Sequence, residues 1–198
     1  MSAWAAAGWG AFSAGALLIG QALARPLARR RTATGLMMGF GAGTLLAAVA
    51  YELIPESSFD EPLLVGAGFA LGALTYFGLD RLVDRRGGSG RQDIAGEGGG
   101  GGTSGAAMFI GALLDGIPEA FVLGAGLALG GGVSVAFVVA VFASNVPEGV
   151  AGTLNLRGAG VPEPRIATMW TALTAVCAVA ATVGFVVSDD LPDGGLAA

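Results

Sequence analysis

A seven-residue stretch, LDGIPEA at positions 114–120, places two carboxylates and a proline inside an apolar run long enough to be a membrane helix. Ionisable side chains are costly in such a run and usually functional. A related stretch, ASNVPEG at positions 143–149, follows in the next apolar run. Two copies of one costly motif indicate a single shared site.

Helical spacing predicts which side chains of the two motifs face the shared site. Residues four apart lie on one face of a helix, so Asp115 and Glu119 point the same way. Ser144 and Glu148 share a face in the same manner, with Asn145 beside them. The five side chains therefore supply carboxylate, hydroxyl and amide oxygens to one region.

The prolines of the two motifs add backbone oxygens to this set. A proline inside a helix has no N–H and crowds the carbonyl four residues earlier, so Pro118 frees the carbonyl of Leu114 and Pro147 frees that of Ala143. Within a membrane, freed backbone is tolerated only where protein, water or a ligand satisfies it. A bound cation satisfies such oxygens well.

Composition favours a membrane protein and excludes several functions. The chain is 54% hydrophobic and 13% charged, about half the charge of a soluble domain. It has one cysteine, Cys177, and no histidine, which excludes an internal disulfide and histidine-based catalysis. No nucleotide-binding loop, nucleophile elbow or nucleic-acid patch is present. We therefore expect no enzyme, no prosthetic group and no nucleic-acid partner, and a lipid bilayer around the chain.

The apolar runs predict an all-α, polytopic membrane helix bundle in one domain, 1–198. Six transmembrane helices are expected, at about 4–23, 34–54, 63–82, 106–129, 133–154 and 166–187. The glycine-rich segment 87–105 is predicted to be a flexible cytoplasmic linker. Because the turn at 130–132 is short, we expect the fourth and fifth helices to be antiparallel neighbours.

Charge placement predicts the orientation of the bundle. All ten basic residues are arginines, and all lie between helices one and two, three and four, or five and six. The positive-inside rule places these loops in the cytoplasm and both termini outside. Arginine without lysine is typical of GC-rich genomes, so we expect a multi-pass protein of a bacterial inner membrane.

The motifs resemble those of the Zrt/Irt-like (ZIP) divalent-metal transporters, especially the bacterial branch. Pro118-Glu119 and 147–149 match the cores of the family's fourth and fifth helices, and 52–56 looks like the end of its second. The family has eight helices, both termini outside, and a mid-membrane metal site that is often binuclear. The resemblance implies transport of a divalent metal toward the cytoplasm, through a site between helices four and five.

The sequence departs from the family pattern at several positions. Asp115 stands where the family usually has a metal-binding histidine, and Ser144 and Asn145 stand at positions often filled by His, Gln, Asp or Asn. The glutamate that the family commonly contributes from helix six would fall near Ala178. The chain ends at Ala198, where two further family helices would begin. We expect either a truncated chain or one that lacks that pair.

The expected metal ligands are almost wholly oxygen donors: Asp115, Glu119, Ser144, Asn145 and Glu148. Such donors suit Mn²⁺, Mg²⁺ or Ca²⁺, and Zn²⁺ and Fe²⁺ also bind them. We therefore expect a divalent ion, zinc, manganese or iron, as the substrate. A homodimer is left open as a further partner.

Three other interpretations remain at this point. A degenerate or truncated ZIP homologue would act as a non-transporting membrane scaffold or partner subunit. An intramembrane aspartyl protease would need two central aspartates, whereas only Asp115 is central and Asp80 lies near an interface. Finally, Glu119 and Glu148 could be protonated carboxyls that cap the proline-freed backbone.

Overall fold

The computed structural model describes residues 2–53, 62–83, 85, 105–129 and 134–189. This part of the chain contains α-helices and no strand, which confirms the all-α fold class. A π-helical stretch, Val49–Leu53, continues the second helix. The helices are α1 Ala3–Leu27, α2 Arg31–Ala48, α3 Pro62–Val83, α4 Gly105–Leu129, α5 Val135–Gly158 and α6 Glu163–Asp189.

Five helices of the described chain are long and apolar enough to cross a membrane. These spans are Ala3–Leu27, Thr32–Tyr51, Phe109–Leu129, Val135–Gly158 and Glu163–Asp189. Such a set is typical of a multi-pass membrane protein, as the composition predicted. A further span through α3, and the placement of both termini outside, stay predictions.

Large apolar side chains cover the outside of the bundle. Trp4 and Leu36 are 87% and 71% exposed, and Phe40 and Leu46 are similarly open. Soluble proteins rarely expose contiguous apolar surface on this scale. Hydrocarbon chains are the solvent that suits such a surface.

The helices extend beyond the apolar runs at several ends. α1 continues through Arg25 and Pro26 rather than ending at residue 23, and α6 begins at Glu163 rather than at 166. Hydropathy marks only the part of a helix that lies in hydrocarbon, whereas the helix itself continues into the polar interface. Pro26 is tolerated because it removes a single hydrogen bond in the last turn.

The start of α5 is set by a cap rather than by hydropathy. The hydroxyl of Ser134 accepts a hydrogen bond from the backbone N–H of Phe137 at 3.1 Å, so α5 begins at Val135 instead of residue 133. The predicted linker 87–105 lies outside the described residues except Gly105, where α4 begins. Residues 54–61 and 130–133 also lie outside them.

The helix α1 lies at the centre of the described bundle. It packs closely on α5 and α6 and also contacts α4, while α4 packs mainly on α6 and α2 packs on α5. α4 and α5 do touch, as predicted for neighbours, but each packs more extensively on another helix. The two motif helices are therefore held in place chiefly by α1 and α6.

Glycines allow these helices to approach closely. A β-carbon on Gly149 of α5 would collide with the backbone of Leu17 on α1. One on Gly184 of α6 would collide with the backbone of Phe121 on α4. Small residues are the usual means of close backbone contact between membrane helices, because packing rather than water exclusion drives their association.

One buried hydrogen bond joins α5 to α6 beside the motifs. The indole Nε1 of Trp170 donates to the hydroxyl of Thr153 at 3.0 Å, and both residues are at most 1% exposed. We expect Thr153→Val to lower the free energy of unfolding by about 1–3 kcal/mol, because the indole N–H loses its partner. Thermal unfolding in detergent measures this, with Thr153→Ser as the control that keeps the hydroxyl. Equal stability of the valine variant and the wild type would contradict it.

Candidate functional site

A cavity of about 430 Å³ lies between α2, α4 and α5. Tyr76 of α3 and Trp170 of α6 complete its wall. The polar side chains of the two motifs that line it are Asp115, Glu119, Ser144 and Glu148. Both motif prolines, Pro118 and Pro147, line it as well. The structure thus brings four of the five expected ligands to one cavity.

The two glutamates lie at similar positions along their helices. Ten residues separate Glu119 from Leu129, the end of α4, and ten separate Glu148 from Gly158, the end of α5. Ten residues correspond to about 15 Å along a helix axis. Each carboxylate is therefore about midway along a helix that is long enough to span a membrane.

Asn145 does not line this cavity. It is 4% exposed, and its Nδ2 donates to the backbone carbonyl of Ser13 on α1 at 3.1 Å. It lines a second cavity of about 10 Å³, to which Glu119, Glu148 and Cys177 also contribute. That volume is at the lower limit for one water molecule. Asn145 thus anchors α5 to α1.

Ser144 and Cys177 both donate hydrogen bonds to backbone carbonyls. The hydroxyl of Ser144 donates to the carbonyl of Val141 at 2.9 Å, one turn earlier in α5. This is the usual hydrogen bond of a serine in a membrane helix and leaves the hydroxyl oxygen as an acceptor. The buried Cys177 thiol donates to the carbonyl of Gly116 at 3.5 Å and so joins α6 to α4.

Asp115 has a partner that the sequence analysis missed. The hydroxyl of Tyr76 on α3 donates to Oδ1 of Asp115 at 2.6 Å. In that apolar run, the interpretation of the sequence rested on Asp80 alone. The sequence does single out Tyr76 as a polar group of this helix, since it is one of only two tyrosines and lies one turn before Asp80. A buried or membrane-embedded tyrosine hydroxyl usually needs a hydrogen-bond partner.

The three carboxylates share a cavity without forming a tight cluster. Among the described residues, no three His, Cys, Asp or Glu side chains are grouped closely enough to hold a metal ion. Of the described side chains that line the cavity, none is basic. Carboxylates that face a membrane cavity favour a cation or protons.

No family model matches the chain, and neither curated proteins nor solved structures show a significant similarity to it. The resemblance to the ZIP family therefore rests on the two Pro-Glu motifs and their helical context. It stays a prediction.

Proposed function

We propose that this chain is a divalent-cation transporter of the ZIP type, which moves metal toward the cytoplasm through a carboxylate site between α4 and α5. One observation carries the proposal: Asp115, Glu119 and Glu148 line a single cavity about midway along apolar helices. We place the protein in a bacterial inner membrane, with both termini outside and α3 as a sixth span.

The donor set supports a divalent metal as the substrate. Carboxylates in a low-dielectric site are stable only when paired or bound to a cation. Their oxygens and the hydroxyl of Ser144 suit Mn²⁺, and zinc and iron also bind carboxylates. Because the three carboxylates are not clustered in this conformation, a bound ion would draw at least one of them toward the others.

The packing suggests which elements would control access to the site. α1, α4, α5 and α6 form a closely packed core that carries Glu119 and Glu148. α2 contributes Met38, Ala42 and Leu45 to one wall of the cavity, yet it packs mainly on α5. Movement of α2 and α3 against this core would open the cavity first to one side of the membrane and then to the other.

Uptake into proteoliposomes tests the proposal. We expect the reconstituted wild type to take up at least one of Mn²⁺, Zn²⁺ and Fe²⁺, each supplied separately. Glu148→Gln should abolish the uptake, because the variant keeps the shape of the side chain and removes its charge. Glu163→Gln is the matched control. Glu163, at the start of α6, pairs with Arg157 of α5 and does not line the cavity. Absence of uptake for all three ions in the wild type would contradict transport.

A second function, that of a non-transporting homologue or partner subunit, stays an alternative. Metal binding without uptake would support this function and would contradict transport by the chain alone.

A further inference from the structure

α3 lies at the edge of the described bundle. Its contacts with the rest of the described chain are made to α4. Its apolar side chains are open on most sides, with Phe69 57% and Leu74 69% exposed. The hydrogen bond from Tyr76 to Asp115 therefore links a peripheral helix to the candidate site.

This bond occupies part of the Asp115 carboxylate that a metal ion would use. The phenol O–H donates to Oδ1 at 2.6 Å, so its hydrogen takes up a lone pair on that oxygen. The carboxylate keeps other lone pairs, but the hydrogen bond withdraws electron density from Oδ1 and holds Asp115 toward α3. A bound cation draws on the same negative charge, so the hydrogen bond reduces what Asp115 offers to the ion. Hydrogen bonds to an ionised carboxylate are about twice as strong as neutral ones.

We propose that Tyr76 competes with the metal ion for Asp115 and thereby sets the affinity and release rate of the site. The inference rests on the proposed function, because it concerns the same cavity. When metal arrives, the bond from Tyr76 breaks or lengthens and Asp115 turns toward Glu119 and Glu148. When the bond reforms, it helps to displace the ion.

The competing role has a signature that a structural role lacks. If Tyr76 only held α3 in place, or only oriented Asp115 for binding, its loss would weaken metal binding. If it competes with the ion, removal of the hydroxyl tightens binding and slows release. In transport this means a lower KM together with a lower maximal rate.

The experiment compares Tyr76→Phe with the wild type and with Tyr51→Phe. Tyr51 is the only other tyrosine and is 81% exposed, which makes it a matched control for loss of a phenol hydroxyl. Titration calorimetry of the full chain in detergent, with Mn²⁺ and Zn²⁺ separately, gives the dissociation constants. We expect Tyr76→Phe to bind about tenfold more tightly and Tyr51→Phe to bind as the wild type does.

The possible outcomes separate the inference from the proposed function. Equal or weaker binding by Tyr76→Phe, with normal binding by the wild type, overturns the competing role and leaves the transporter proposal intact. Absence of binding by the wild type overturns both.

A second measurement covers the case in which Tyr76→Phe does not fold. In Tyr51→Phe protein grown with ring-labelled tyrosine, Tyr76 is the sole labelled residue. Its phenol band in the infrared difference spectrum should shift when metal is added, because the hydrogen bond to Asp115 is lost. An unchanged band on saturation with metal overturns the inference.

Discussion

Replacing either Glu119 or Glu148 with glutamine is expected to weaken metal binding by about 100-fold or more. Changes to groups that merely support a metal ligand already cost about 10- to 100-fold in affinity, so the loss of a ligand should cost at least the upper value. Glutamine keeps the size of the side chain and one carbonyl oxygen but removes the charge that attracts the ion. Titration calorimetry with Mn²⁺ and Zn²⁺ measures the effect.

The double variant Glu119→Gln/Glu148→Gln tests whether the two residues hold the same ion. Residues that hold one ion are coupled, so the loss in the double variant should differ from the sum of the two single losses. Glu163→Gln, at the start of α6 and away from the cavity, should bind as the wild type does. Unchanged affinity in both single variants would contradict a site formed by α4 and α5.

Gly149→Leu is expected to destabilise the bundle by about 3 kcal/mol or more. Gly149 follows the second motif directly, and a β-carbon there would collide with the backbone of Leu17 on α1. Backbone atoms cannot rotate away as a flexible side chain can, so α1 and α5 must separate. Thermal unfolding and size-exclusion chromatography in detergent measure the loss of folded protein.

The control for this substitution is Gly15→Leu on α1. A β-carbon at Gly15 meets nothing within 4 Å, so this position lacks the backbone collision found at Gly149. We expect near-normal stability, since leucine is also a better helix former than glycine. Similar stability of the two leucine variants would show that the α1–α5 contact does not depend on Gly149.

The sequence predicted the helical class and the approximate helix positions because long apolar runs have one common solution in lipid. In a membrane the backbone must satisfy its own hydrogen bonds, and helices do this locally. The exact ends were not predictable from hydropathy. Pro26 and Glu163 lie within helices although they lie outside the apolar runs, since the helical conformation persists into the interface.

At the site, the sequence predicted which residues share one face of a helix. It did not predict which residues of other helices they contact. The four-residue separation of Asp115 and Glu119 is a property of one helix, and both side chains do line one cavity. The partners of Asn145 and Asp115 are contributed by α1 and α3, through Ser13 and Tyr76. Such contacts depend on how separate helices pack, which a single sequence pattern does not encode.

The same limit applies to the glycines. The chain has 36 of them, and composition does not show which of them lie at helix contacts. Gly149 and Gly184 lie against the backbone of another helix, whereas a β-carbon at Gly126 would meet nothing within 4 Å. The difference comes from which face of each helix meets a neighbour.

The central claim is that Glu119 and Glu148 bind a divalent metal. The most direct test is the metal content of the purified protein, measured by mass spectrometry. The wild type and the double variant Glu119→Gln/Glu148→Gln are each equilibrated separately with Zn²⁺, Mn²⁺ and Fe²⁺. We expect near-stoichiometric metal in the wild type for at least one ion, and its loss in the double variant. No metal in either protein, or equal metal in both, would contradict it.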